Sequence, residues 1–218
     1  RGFEMKIFSF EGGLMRSISK FTDCICLSIM FLLCCIPVIT IGTALSSLYY
    51  AIYKVVRHDR GYIFQEYVSA FRDNFKQTAP VWLLALAAGV WLGADVYVVQ
   101  HYTSPDSPLR LLSYVFLLGL VLLLSWITYL FPYMSRFENT RKACMKNAML
   151  MAIAHLPTTV GLLAVAAVIL LGIYMVVPLI IMLPAVCLWI QSFFLERVFR
   201  KYMTEEDRIA EDERNRVY

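Results

Sequence analysis

Residues 147–195 read NAMLMAIAHLPTTVGLLAVAAVILLGIYMVVPLIIMLPAVCLWIQSFFL and contain no Asp, Glu, Lys or Arg. A helix rises 1.5 Å per residue, and the hydrocarbon core of a bilayer is about 30 Å thick, so about 20 apolar residues cross it. This stretch is long enough for two crossings and predicts them over 156–176 and 179–199. Pro178 marks the turn between them, because proline has no N–H for the interior helix bond. Residues 24–53 and 111–135 are also free of charge. In the whole 218-residue chain 60% of residues are hydrophobic and 17% charged, with a mean hydropathy of +0.64. A soluble domain carries about 45–50% apolar and about 25% charged residues. The composition therefore excludes a disordered or collagen-like chain and argues against an ordinary soluble enzyme domain. It predicts an all-α fold, a polytopic membrane helical bundle, as a single transmembrane domain over 1–218.

Hydropathy places two more spans at 78–100 and 110–134. Residues 21–56 leave a choice between one long kinked helix and two short spans, 21–37 and 39–56, broken near Pro37–Gly42. Basic residues beside spans favour the cytoplasm. With six spans, every one of the 20 Lys and Arg residues except Arg110 lies on one side. With five, Arg1, Lys6, Arg16 and Lys20 change sides. Six spans with both termini cytoplasmic is the favoured reading and five the alternative. Two spans this short need local bilayer thinning or cover from neighbours. The first apolar run is too long for a signal-peptide core and is expected to remain as a span. Residues 10–20 read as an amino-terminal interfacial segment. Residues 204–218, with charges of both signs, read as a solvated cytoplasmic tail extending the last span.

Two cytoplasmic segments read as interfacial amphipathic helices, 62–76 and 137–148. In the first, Phe64, Tyr67, Val68, Phe71 and Phe75 share one helical face, and Gln65, Glu66, Ser69, Arg72, Asp73 and Lys76 the other. The second has a poorer apolar face, Phe137, Cys144, Met145 and Ala148. Both follow a span rich in aromatics at its inner end, and both run into the next span. The unit of span, interfacial helix and span recurs at 40–100 and 110–176, consistent with a duplication or with coincidence. The segments either anchor the chain or form a docking surface, whose candidates are Arg60, Tyr62, Phe64, Phe71, Arg72, Phe75, Lys76, Arg141, Lys142 and Lys146.

No phosphate-binding G-x-x-x-x-G-K-[ST], H-E-x-x-H or G-x-S-x-G pattern is present, so no catalytic residue, metal ligand or cofactor is assigned. The six cysteines, Cys24, Cys26, Cys34, Cys35, Cys144 and Cys187, form no C-x-x-C pair and read as buried apolar thiols. Ionisable groups at membrane depth are functional candidates because burying them is costly, and only Asp95 and His155 qualify. An interfacial His155 and an Asp95 that reaches the surface are the plainer alternatives. Pro37 frees carbonyls that Thr40 or Thr43 can satisfy, either in a tight turn between spans or in a broken helix at a substrate site. Gly89-x-x-x-Gly93 permits close helix packing, within the chain in the favoured reading and at a dimer face in the alternative. The net charge of +4 comes from residues that flank spans and does not suggest nucleic acid.

Five stretches occur in succession: FEGGLMRSISKFTD at 10–23, CIPVITIGTA at 35–44, LYY at 48–50, RGYIF at 60–64 and FRDNFKQ at 71–77. This succession resembles the YesL family of bacterial membrane proteins, a domain of unknown function. The resemblance implies a multi-pass protein of the plasma membrane, typical of Gram-positive bacteria. It also implies association with carbohydrate importers of the ABC type, and brings over no catalytic residues. A weaker similarity concerns the coupling loop of ABC importer permeases. Glu138 and Leu156-Pro157 have the right spacing, but Asn139 and Thr140 replace the alanines and Cys144 replaces the glycine. The expected partners are the lipid bilayer and the permease and ATPase subunits of such an importer. The expected role is an accessory or regulatory subunit; an independent small-solute transporter or channel, or a scaffold for membrane-protein assembly, are the alternatives.

Overall fold

The structure, a computed structural model, describes the backbone of residues 2–103, 107–137 and 139–216, and the side chains of these except 2–18, 177, 210 and 214–216. Among the described residues every regular element is helical: α1 Gly2–Cys35, α2 Ile41–Ala51, α3 Ile63–Tyr102, α4 Leu111–Arg136, α5 Arg141–Ala154, α6 Leu156–Met175, α7 Leu183–Tyr202 and α8 Glu205–Arg216. The expected all-α bundle is what forms. Four helical segments are long and apolar enough to cross a membrane: Val38–Arg57, Ile63–Tyr102, Pro108–Arg136 and Leu156–Met175.

The breaks follow from residue chemistry. The α1 helix stops at Cys35 because Pro37 cannot donate and disfavours helix at Ile36. Thr40 Oγ1 donates to the carbonyls of Cys34 and Pro37, the satisfaction the sequence predicts for Thr40. Thr43 turns elsewhere, to Thr78 Oγ1 at 2.8 Å. The α2 helix widens into a π turn over Ile52–Arg57, and the chain reverses through Asp59 and Gly61 in the left-handed region. Gly61 has φ +80°, and a Cβ there would lie 2.5 Å from Glu66 Oε1. The break between α6 and α7 falls at 176–182, around Pro178, as expected. Helix α8 is separated from α7 at 203–204, and Thr204 Oγ1 accepts from Asp207 N at 3.3 Å as its N-cap.

Three sequence expectations change. Segment 62–76 is no separate helix: it forms the first turns of α3, which runs for 40 residues, about 60 Å, through Pro80. Its Tyr67 is fully buried and Phe71 packs beside it against α1 and α2, so much of the apolar face is covered by protein. The second amphipathic helix starts at Arg141 rather than Phe137, and buries Cys144, Ala148, Met151 and Ala152 in the bundle. The tail is solvated over most of its described side chains but is a separate helix rather than an extension of α7, and α8 carries Glu211 into the bundle at 6% exposure.

The core has two parts that meet at α2. One gathers Tyr49, Tyr129, Phe131, Tyr133, Leu195 and Phe199. The other gathers Cys24, Leu27, Leu48, Ile52, Val56 and Tyr67. Of the apolar window of Val38–Arg57 61% is buried, against 11% in each of the other three candidate spans. The outward side chains of α3, α4 and α6, such as Trp91, Leu111 and Leu170, therefore remain as apolar surface that suits lipid. Gly42 fixes the start of α2: a Cβ there would sit 2.5 Å from Trp82 Cβ and 2.7 Å from Phe131 Cε1. Gly89 faces Leu123 of α4, the packing within the chain that its motif suggests, while Gly93 has nothing within 4 Å.

Candidate functional site

The uncharged runs of α4 and α7 end in Arg136 and Glu196, and the fold joins these two charges. Arg136 Nε donates to Glu196 Oε1 at 2.9 Å and Nη2 to Oε2 at 3.0 Å, a bidentate fork. Nη2 also donates to Glu211 Oε1 of α8 at 2.6 Å. Tyr49 Oη donates to Glu196 Oε1 at 2.7 Å, and Tyr53 Oη donates to Glu211 Oε1. The Arg136 guanidinium lies 3.8 Å from the centroid of the Tyr53 ring. Side-chain exposures of 13% for Arg136, 4% for Glu196 and 8% for Glu211 make this a buried charge cluster. Charges so enclosed persist only when paired and hydrogen-bonded.

Cations continue along the π turn. Arg57 Nη1 donates to the Ser192 carbonyl at 3.0 Å, with its guanidinium 4.8 Å from the Phe193 ring centroid. Lys54 Nζ meets Glu66 Oε2 at 2.7 Å. His58 packs edge-on to Tyr53, with centroids 4.6 Å apart. Burial, then the positive charges of Arg57, Arg60 and Arg136, lower the His58 pKa to about 4, so the ring is neutral at pH 7.

Arg136 and Glu211 also form a wall between two cavities. One, of about 660 Å³, is lined by Asp73, Asn74, Gln77, Arg136, Asn139 and Asp207 among others. The other, of about 260 Å³, is lined by Tyr50, Tyr53, Lys54, Arg60, Arg136 and Glu211. Their polar walls suit water or a polar solute. Among the described residues no group of three His, Cys, Asp or Glu side chains is placed to hold a metal.

The predicted candidates fall in separate places. Tyr62 and Phe64 are exposed at the start of α3, 79% and 70%. Arg60 lines the smaller cavity rather than the outer surface. Arg72, Phe75 and Lys76 are exposed on α3, and Arg141, Lys142 and Lys146 on α5. Arg141 joins the two sets, donating from Nη2 to the Lys76 carbonyl at 3.0 Å. Half-buried Asp95 lies near the Tyr102 end of α3. His155 sits at the α5–α6 break, with Nε2 3.2 Å from Tyr202 Oη, so these two polar groups do not form one site. Cys24 and Cys144 are buried as expected, but Cys26 is exposed on α1. Glu138, the first position of the permease-loop similarity, lies outside the described residues. Sequence reasoning missed Arg136, Glu196 and Glu211. The signal was available for the first two, opposite charges that close two uncharged runs.

The α1–α3 region, which supplies Tyr49, Tyr53, Lys54 and the wall of the larger cavity, can be compared with known proteins. Residues 24–96 match the family model described as "Protein of unknown function, DUF624". The match takes in the second half of α1, all of α2 and α3 as far as Val96. It leaves Arg136, Glu196 and Glu211 outside. No curated protein and no solved structure matches the chain.

Proposed function

We propose that the chain is a non-catalytic integral membrane protein of the YesL type in the bacterial plasma membrane, with both termini cytoplasmic. In this reading it serves as an accessory or regulatory subunit of a carbohydrate ABC importer, touching the permease and ATPase subunits. The matched domain is the one found in YesL-like proteins, which supports the reading. The observation that carries it is the Arg141–Lys76 hydrogen bond. Through it two basic segments, 62 residues apart in sequence at Asn139 and Gln77, meet as one face, where Gln77 Nε2 also donates to the Asn139 carbonyl. Exposed Arg72, Lys76, Lys142 and Lys146 give this face the positive charge to meet an acidic partner.

Pull-down from native membranes in mild detergent tests the reading. Permease and ATPase subunits should be retained, and Arg72→Glu with Lys142→Glu should release them while the protein still inserts. Full sugar uptake in a strain lacking the protein would sink it. A second reading, an independent small-solute transporter, draws on the polar cavity of about 660 Å³. Solute flux through liposomes containing only this chain would favour it.

A further inference from the structure

A groove of about 600 Å³ between α4 and α5 combines an apolar floor with two cations at its rim. Leu122, Leu123 and Trp126 of α4 line the floor. The groove closes where Leu92 of α3 meets Gly119, at which a Cβ would lie 3.3 Å from Leu92 Cδ2. The α5 helix supplies the rim. Lys142, Met145, Lys146 and Met149 recur at i, i+3, i+4 and i+7, and so share one helix face. Trp126 Nε1 donates to the Met145 carbonyl at 3.0 Å, which ties that rim to the floor. Among the described lining residues the two lysines are the only charged ones, and both are exposed. The floor lies within the uncharged run 111–135, the part of α4 suited to hydrocarbon. The lysines lie toward the charged end of that run. There Arg141 holds the start of α5 to the Lys76 carbonyl, and Asn147 Nδ2 donates to Tyr133 Oη at 3.0 Å. The four-carbon stem of a lysine lies along apolar surface while its ammonium reaches the headgroup level.

Apolar walls below and cations above follow the order of groups in a lipid. We propose that the groove binds one anionic phospholipid. An acyl chain lies over Trp126 and Leu122 toward Gly119, and the phosphate is held between Lys142 and Lys146. Charge complementarity selects this occupant, because basic pockets between membrane helices attract anionic headgroups. The track from Trp126 to Gly119 is about 10 Å, under two helical turns, which is short for a partner helix and sufficient for part of an acyl chain. Two lysines against one phosphodiester charge leave the face positive, so the lipid and an acidic partner are compatible. The lipid site rests on the membrane part of the proposed function and goes beyond its importer part.

The test is native mass spectrometry of the purified chain in detergent, titrated with phosphatidylglycerol or with phosphatidylcholine of the same acyl chains. Phosphatidylglycerol should bind about thirty-fold more tightly, at about five-fold for each lysine. Lys142→Gln with Lys146→Gln should abolish that preference, and both side chains are exposed, so the fold should tolerate the change. Leu122→Trp, at a position 44% exposed, should fill the groove and weaken both lipids. Glycerol 3-phosphate has the anion without the chains and should displace neither. Equal binding of the two lipids overturns the site, as does a preference that survives in the lysine variant. An unchanged affinity in Leu122→Trp removes the acyl chain from the groove, and displacement by glycerol 3-phosphate assigns the lysines to free phosphate; either result overturns it. A lipid-free dimer that Leu122→Trp breaks would give the groove to a second copy and overturn it too. Only the purified chain is used, so the lipid site and the importer reading can fail separately.

Discussion

Arg141 of α5 donates to the carbonyl oxygen of Lys76, the acceptor that Pro80 leaves without a helix partner. In an unbroken helix that carbonyl would accept from the N–H four residues on, and proline has none. The proline therefore creates the acceptor, and a helix from another part of the chain uses it. Pro80→Ala should restore the internal bond and make Arg141 dispensable. We expect Arg141→Ala to destabilise by about 1 kcal/mol in the native background and by less than half of that alongside Pro80→Ala. Thermal unfolding in detergent, run as a double-mutant cycle, checks this.

The Arg136 cluster ties α8 to α4 and α7. Arg136→Met would leave Glu196 and Glu211 enclosed without their cation, an effect of about 3–5 kcal/mol. The expected result is a large fall in Tm and rapid proteolysis within 203–216, where the native chain resists. Glu196→Gln should be milder, because the amide still accepts from Tyr49 and Arg136 keeps Glu211.

Two glycines separate close approach from mere tolerance. Gly42→Ala places a Cβ 2.5 Å from Trp82 Cβ, next to its backbone, so α2 must shift, at about 1–3 kcal/mol. Gly93→Ala meets nothing within 4 Å and should stabilise α3 by about 0.5–1 kcal/mol. Opposite signs in the two unfolding shifts are the expected result.

His58 gives the pH dependence a direction. Its pKa falls from an ordinary 6.5 to about 4 in the folded protein. Between those values the unfolded chain binds a proton that the folded chain refuses, so stability declines as pH falls through that window. The contribution is complete above 6.5. Tm measured at pH 7.5 and pH 5 should drop less in His58→Asn than in the native protein.

The helices and most of their breaks are legible in the residues. Pro37 and Pro178 stop helices through their own backbone chemistry, whereas the break at 203–204, capped by the Thr204 hydroxyl, reads in the sequence as a continuation of the last span. Arg136 and Glu196 stand out at the ends of uncharged runs. Their union is not legible, because it joins α4, α7 and the returning α8 across long separations. The Arg141–Lys76 bond is hidden for the same reason: no pattern in residues 62–76 names the donor that a freed carbonyl will find.

What the sequence determined alone is an all-helical chain with uncharged runs long enough to cross a bilayer, because hydropathy and backbone hydrogen bonding are local properties. Only the tertiary structure decided which helix lies beside which half of α3. That depends on the fit of Gly42 under Trp82 and on Lys54 reaching Glu66, contacts between residues whose spacing carries no period.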